Sequence, residues 1–234
     1  MKAVTRNTPN IVTCMNLVAG CLAIFCGSKG NTPLWGLHGW EWACIFIGIA
    51  ALADFFDGFC ARVLKAYSDL GKELDSLCDL VSFGVAPAIM VSNLLIFRGM
   101  PEWMALCSLL IPVAGAIRLA RFNIDTRQAS SFKGLPIPSN AIFWAGYCGM
   151  IMEGADFLLL PGVYYPILLF ECWLMISPMR LFSLKFKNYR FRENLPRYLL
   201  IAGSAFLIFC MGLSGLVWVI VYYIFLSFTF KVKP

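Results

Sequence analysis

Histidine is all but missing from this chain. The one copy, His38, falls in the loop at residues 28–40, which is expected on the opposite side of the chain from the acidic residues described below and therefore outside the candidate site. Charge is scarce too: Asp, Glu, Lys and Arg make 14% of the residues against 60% hydrophobic ones, and the mean hydropathy is +0.76. That balance excludes an ordinary soluble domain. The ten cysteines show no metal-ligand spacing and sit mostly inside apolar stretches, such as Cys21, Cys44, Cys148 and Cys210, so they read as small buried hydrophobes rather than a disulfide framework. A basic-aromatic RNA motif is also lacking, and nucleic acid is not an expected partner. The first long apolar segment has no small-residue cleavage site and is expected to be a retained span.

What the chain does contain is apolar length. Segments near 9–27, 42–64, 72–97, 103–122, 138–155, 163–184, 196–212 and 214–230 each approach the length a bilayer core requires. The expected fold is all-α, a polytopic membrane helix bundle of about eight transmembrane helices forming a single integral membrane domain over residues 1–234. Of the 19 Lys and Arg, all but Lys29 and Arg98 fall near one set of helix ends, which places both termini in the cytoplasm. The net charge of +6 belongs mostly to those loops, where contact with anionic lipid headgroups is the simplest use.

Against this apolar background, residues 54–79, DFFDGFCARVLKAYSDLGKELDSLCD, place Asp54, Asp57, Asp75 and Asp79 at membrane depth. Each ionised group there costs roughly 2.5–3.5 kcal/mol on insertion scales, so four together need a compensating cation or a water-filled cavity. On a helix, Asp54, Asp57, Gly58, Ala61 and Arg62 share one face, and Gly71, Asp75 and Asp79 form a second stripe. A turn near residues 67–70 makes the two helices an antiparallel hairpin. At about 1.5 Å rise per residue, Asp57 then lies level with Asp75, and Asp54 with Asp79. The hairpin's turn faces the cytoplasm by the same charge rule.

The flanking segments supply further polar groups. Thr8 and Pro9 make a helix start, and Thr13, Asn16 and Gly20 share a face of the first span. Such side chains serve helix packing, yet their depth beside the acidic hairpin keeps a substrate-lining role open. Pro87 is expected to kink the third span, and Trp103 marks the outer end of the fourth. Arg118, Arg121 and Lys133 are either positive-inside decoration or, as a group, contacts for phosphate or carboxylate. Glu153 and Asp156 read as solvated, Glu171 is an intramembrane acid without an assigned partner, and the basic run at 180–197 suits a membrane surface. The last two spans look structural.

Clustered carboxylates at a membrane surface suit Mg2+ or Mn2+, hard cations that take oxygen ligands, and two such ions can clamp a diphosphate. Bare Gly58 and Ala61 would let a nucleotide approach the helix backbone, and Arg62 could offset phosphate charge. The spacing D-x2-D-G-x2-A-R-x8-G-x3-D-x3-D, from Asp54 to Asp79, resembles the signature of the CDP-alcohol phosphatidyltransferase family. PNIVTCMNLVAG at 9–20, LGKELDSLCDLVSFGVAPA at 70–88, RLARFN at 118–123 and GLPIPSNA at 134–141 are similar to its phosphatidylserine synthase branch, so the likeness covers about the first 140 residues.

By that resemblance Asp54, Asp57 and Asp75 bind the metal ions, Asp79 lies beside them as the base, Gly58, Ala61 and Arg62 contact the CDP moiety, and Thr13 and Asn16 line its nucleotide end. The implied substrates are CDP-diacylglycerol and L-serine, the products phosphatidylserine and CMP, and the implied setting a homodimer in a bacterial inner membrane with its active site facing the cytoplasm. Glycerol 3-phosphate or inositol as acceptor is the alternative within the family. A divalent-cation transporter would account for the Asp spacing but not for Gly58, Ala61 and Arg62 on the same face.

Overall fold

The computed structural model describes residues 2–64, 68–124, 132–182 and 194–230, with residues 2–9, 61–62, 64 and 132–133 described as backbone only. Its contacts divide into two compact units, Met1–Ile124 and Asp125–Pro234. The acidic signature lies wholly in the first.

In the first unit, α1 (Lys2–Gly27) is followed by a small hairpin, β1 (Pro33–Leu34) with β2 (Leu37–His38), and then by α2 (Gly39–Leu64). Small side chains set the α1–α2 contact: Ala19, Ala23, Ala43 and Ala50 are buried, and a Cβ on Gly27 would sit 3.5 Å from the Ala43 Cβ of α2. Close backbone approach of this kind is how membrane helices associate without a hydrophobic driving force. His38 is used within its own loop, its Nδ1 lying 2.8 Å from the Asn31 carbonyl and its backbone N–H donating to Glu41 at 2.7 Å.

The helix α3 (Asp69–Asp79) starts at Ser68, whose hydroxyl accepts from the Gly71 N–H at 3.0 Å as a helix cap. It runs through a π-helical turn, Leu80–Val85, into α4 (Ala86–Phe97). The expected kink at Pro87 is therefore a wider turn lying just before it. Pro87 lacks an N–H and its ring crowds the preceding turn, so the backbone inserts one residue there, and Ala86 N–H reaches back to the Val81 carbonyl. A short α5 (Glu102–Ala105) and a 3-10 turn, Leu106–Leu109, lead into α6 (Leu110–Ile124). Gly84 lies against Pro112 of α6.

The second unit holds β3 (Phe132–Lys133), α7 (Ile137–Met152), α8 (Pro161–Ile176), β4 (Arg180–Leu181), α9 (Leu195–Met211) and α10 (Gly215–Thr229). Its core is aromatic: Trp144, Tyr147 and Tyr164 are fully buried and in ring contact, and the Tyr147 hydroxyl donates to the Leu158 carbonyl at 2.6 Å. Gly146 and Gly149 let α7 approach α10 and the turn before it. Glu153, expected to be solvated, is exposed and also accepts a hydrogen bond from Ser214 in that turn. The helix α8 stops at Ile176 rather than near 184. Ser177 is extended because Pro178 follows it, and β4 then pairs antiparallel with β3.

The expected segments overlap helices, though the fifth passes the end of α7 at Met152 and the sixth that of α8 at Ile176. Five described helical runs are long and apolar enough to cross a membrane: Asn10–Gly27, Gly39–Cys60, Asp69–Phe97, Glu102–Ile124 and Leu195–Thr229, the last including the turn between α9 and α10. The helices α7 and α8 are 16 residues each. Most of the basic run at 180–197 lies outside the described residues.

Candidate active site

The helices α2 and α3 bring Asp54, Asp57 and Asp75 together: one carboxylate oxygen from each lies within 4.8 Å of the others. Asp57 is buried, and Asp54 and Asp75 are half-buried. Asp79, one turn beyond Asp75, is also buried and lies within electrostatic range of all three. Four like charges so placed repel strongly in a medium that screens them poorly.

The helix α1 forms the third wall. Thr13 Oγ1 donates to Asp57 Oδ2 at 2.8 Å, and Asn16 Nδ2 donates to Asp79 Oδ1 at 3.1 Å. The Ser82 hydroxyl, in the π-helical turn, donates to the Asn16 backbone carbonyl at 3.0 Å. Two acceptors are left over: Asp75 Oδ1 and Asn16 Oδ1 are buried with no hydrogen-bond partner among the described residues. A buried acceptor left unsatisfied costs about 1–3 kcal/mol, so each marks a place where something other than packing has been favoured.

For Asp75 the missing partner fits a cation. Three carboxylates from two facing helices, one with a buried unsatisfied oxygen, make a hard-oxygen donor set suited to Mg2+ or Mn2+. The residues present therefore fit a divalent metal, held by Asp54, Asp57 and Asp75 with Asp79 alongside.

The other expected site residues divide. Among the described residues, a Cβ on Gly58 would meet nothing within 4 Å, so open space lies beside α2 one residue past Asp57. The backbone of α2 carries Ala61 and Arg62 one turn further on, but their side chains, like that of Lys133 in the second unit, lie outside the described residues. On α6, Arg118 is buried and Arg121 exposed, so the two do not share one environment. Gly71 packs beside Asn10 of α1, where a Cβ would sit 3.1 Å from the Asn10 side-chain oxygen.

One polar group was not anticipated from sequence. Asn123, at the end of α6, donates to Glu73 at 3.2 Å and to Ser76 at 3.0 Å, while Lys72 donates to the Asn123 carbonyl at 2.7 Å. This knot fixes α6 to the first turns of α3, below the acids. Lys72 had looked like ordinary positive-inside charge, and its partner lies 51 residues away in the chain.

Comparison with known proteins adds the following. A family model described as CDP-alcohol phosphatidyltransferase matches residues 6–177, reaching beyond the first 140 residues to the end of α8. The chain is 35% identical over 182 residues to CDP-diacylglycerol–serine O-phosphatidyltransferase of Bacillus subtilis, covering 78% of this chain and 90% of that one. It is 38% identical over 141 residues to the protein of the same name from Methanocaldococcus jannaschii, covering 60% and 59%. With archaetidylserine synthase of Methanothermobacter thermautotrophicus it shares 32% over 171 residues, covering 68% and 69%.

Proposed function

The chain belongs to the CDP-alcohol phosphatidyltransferase family, and from that premise we propose that it transfers the phosphatidyl group of CDP-diacylglycerol to the hydroxyl of L-serine, giving phosphatidylserine and CMP. The observation that carries this reading is the convergence of Asp54, Asp57 and Asp75 beside Asp79, in a chain whose similar relatives bear names for serine as acceptor.

Asp54, Asp57 and Asp75, with Asp79 beside them, hold the metal, in this reading two ions. Bound there, Mg2+ or Mn2+ would supply neutralisation of the charge that builds on the diphosphate. Asp79 takes the proton from the serine hydroxyl as that oxygen bonds to the β-phosphorus, and the bond from the β-phosphorus to the CMP oxygen breaks. The open side of α2 at Gly58 admits the CDP moiety, with Ala61 and Arg62 beside it, and Thr13 and Asn16 border its nucleotide end. Arg118, Arg121 and Lys133 are assigned to the substrate's anionic groups.

The whole chain is read as a single integral membrane domain of eight spans with its catalytic signature at 54–79. Both termini and the active site face the cytoplasm of a bacterial inner membrane, and the assembly is a homodimer. The experiment that tests the function is an acceptor panel: CMP release from CDP-diacylglycerol by the purified protein with L-serine, glycerol 3-phosphate or inositol in turn. Turnover with serine is the expected result. Turnover with either other alcohol and none with serine would sink the acceptor assignment, and divalent metal crossing sealed vesicles without CDP-lipid would favour a transporter.

A further inference from the structure

We propose that Asn16 and Ser82 are positioning residues for the transfer reaction: together they clamp α1 to the base-bearing helix just before and within the π-helical turn and so aim the Asp79 carboxylate. The inference rests on the reading of Asp79 as the base.

Three observations carry it. The orientation of the Asn16 amide is forced, because the opposite placement would set its oxygen against Asp79 Oδ1 at 3.1 Å, acceptor to acceptor. In that orientation Asn16 Oδ1 is buried and unsatisfied among the described residues. An amide placed merely to join helices would use both of its ends, whereas this one gives up its acceptor to present a donor to Asp79.

The same residue is gripped a second time. Its backbone carbonyl accepts from Ser82, three residues after Asp79, so one residue of α1 meets the base-bearing helix before and within the π-helical turn. Gly20, one turn further along α1, has no room for a side chain: a Cβ there would lie 2.8 Å from the Ser82 Cα. The two helices are therefore in contact along this line, and a shift that loosened one grip would strain the other.

Among the described residues, Asn16 is the hydrogen-bond donor to the Asp79 carboxylate. Fixing Oδ1 sets where Oδ2 points, and Oδ2 is the oxygen left to receive the acceptor's proton. Aiming the base acts on turnover, apart from any contact Asn16 makes with the nucleotide.

The test compares Asn16→Leu and Ser82→Ala with the wild type as full-length protein, measuring CMP release and thermal melting. Asn16→Leu should lower kcat on the order of 100-fold and Ser82→Ala about tenfold, as small misplacements of a catalytic group do, with KM for L-serine unchanged within about twofold in both and KM for CDP-diacylglycerol unchanged within about twofold in Ser82→Ala, whose side chain does not border the nucleotide. The melting temperature of Asn16→Leu should equal or exceed that of the wild type, because the leucine removes a buried unsatisfied oxygen, and a merely structural asparagine would instead lower it. Unchanged kcat in both variants overturns the proposal, as does a loss in Ser82→Ala carried by KM for CDP-diacylglycerol. Should Asn16→Leu fail to fold, Ser82→Ala decides alone.

Asp79→Asn separates this inference from its premise. Full activity in Asp79→Asn refutes the base and the clamp together, whereas an inactive Asp79→Asn beside a fully active Asn16→Leu refutes the clamp only. If the wild type prefers another alcohol to serine, the same comparison is made with that alcohol.

Discussion

At the scale of single residues, Gly58 and Thr13 offer contrasting tests. A methyl group at Gly58 meets nothing within 4 Å among the described residues, so Gly58→Ala should leave the melting temperature unchanged or raise it, in line with a gain of about 0.5–1 kcal/mol for Ala over Gly within a helix. The same methyl would stand where the nucleotide approaches α2. The expected outcome in CMP-release kinetics is a KM for CDP-diacylglycerol raised roughly tenfold, about 1.4 kcal/mol of lost binding. An unchanged KM would place the nucleotide elsewhere. Thr13 holds one oxygen of Asp57, as the partners of metal-binding carboxylates commonly do. Thr13→Val should raise the metal concentration for half-maximal activity by about 10–100-fold, the usual effect of losing such a partner, and a titration of activity against Mn2+ reads it directly. Sequence alone places Thr13 and Asn16 on one helix face. It does not say which carboxylate each one meets, because that depends on the register of α1 against α3, which is set by Gly20, Ser82 and Gly71 packing across the interface.

At the scale of elements, the acids are legible because the helical repeat carries them: steps of three and four residues put Asp54 with Asp57 and Asp75 with Asp79 whatever the rest of the fold does. What joins the elements is less legible, since its partners are distant in sequence. Asn123 ties α6 to Ser76 and Glu73 of α3, and Asn123→Ala should lower stability by about 1 kcal/mol for the lost side-chain bonds, measured by thermal melting. Lys72→Met should add to that loss, since its ammonium bonds the Asn123 backbone carbonyl, which Asn123→Ala leaves in place. The shorter α8 had a local signal in Ser177 before Pro178, outweighed by the apolar run through which it is read. The bond from Ser214 to Glu153 had none, for an acid in an outer loop ordinarily faces water.

At the scale of the whole molecule, apolar length and charge asymmetry announce a membrane protein, and the helices bear out that part of the reading. The topology is tested by fusing a reporter active only in the cytoplasm to either terminus; activity at both is expected, and activity at one alone would require an odd number of spans. Metal dependence is tested by EDTA, which should abolish CMP release, with activity regained on adding Mg2+ or Mn2+ and the protein remaining folded throughout. Retained activity after exhaustive chelation would remove the metal from the mechanism. All the acids in question lie within Met1–Ile124, yet similarity to the family continues to residue 177, so the chemistry and the family likeness do not share a boundary.

The π-helical turn after Asp79 has a consequence for how this chain is compared with others. It amounts to one additional residue in an otherwise continuous helix, so positions before and after it count their faces in two different phases. The stripe through Gly71, Asp75 and Asp79 follows one phase, and the apolar packing of α4 beyond Ala86 follows the other. Deleting a single residue between 80 and 85 would return the span to even winding with both faces kept, whereas a substitution such as Pro87→Ala that let it wind evenly at its present length would rotate either the acids or the packing face by about 100°. A variant of that kind would remain a plausible membrane helix to any measure of composition and would have lost its chemistry.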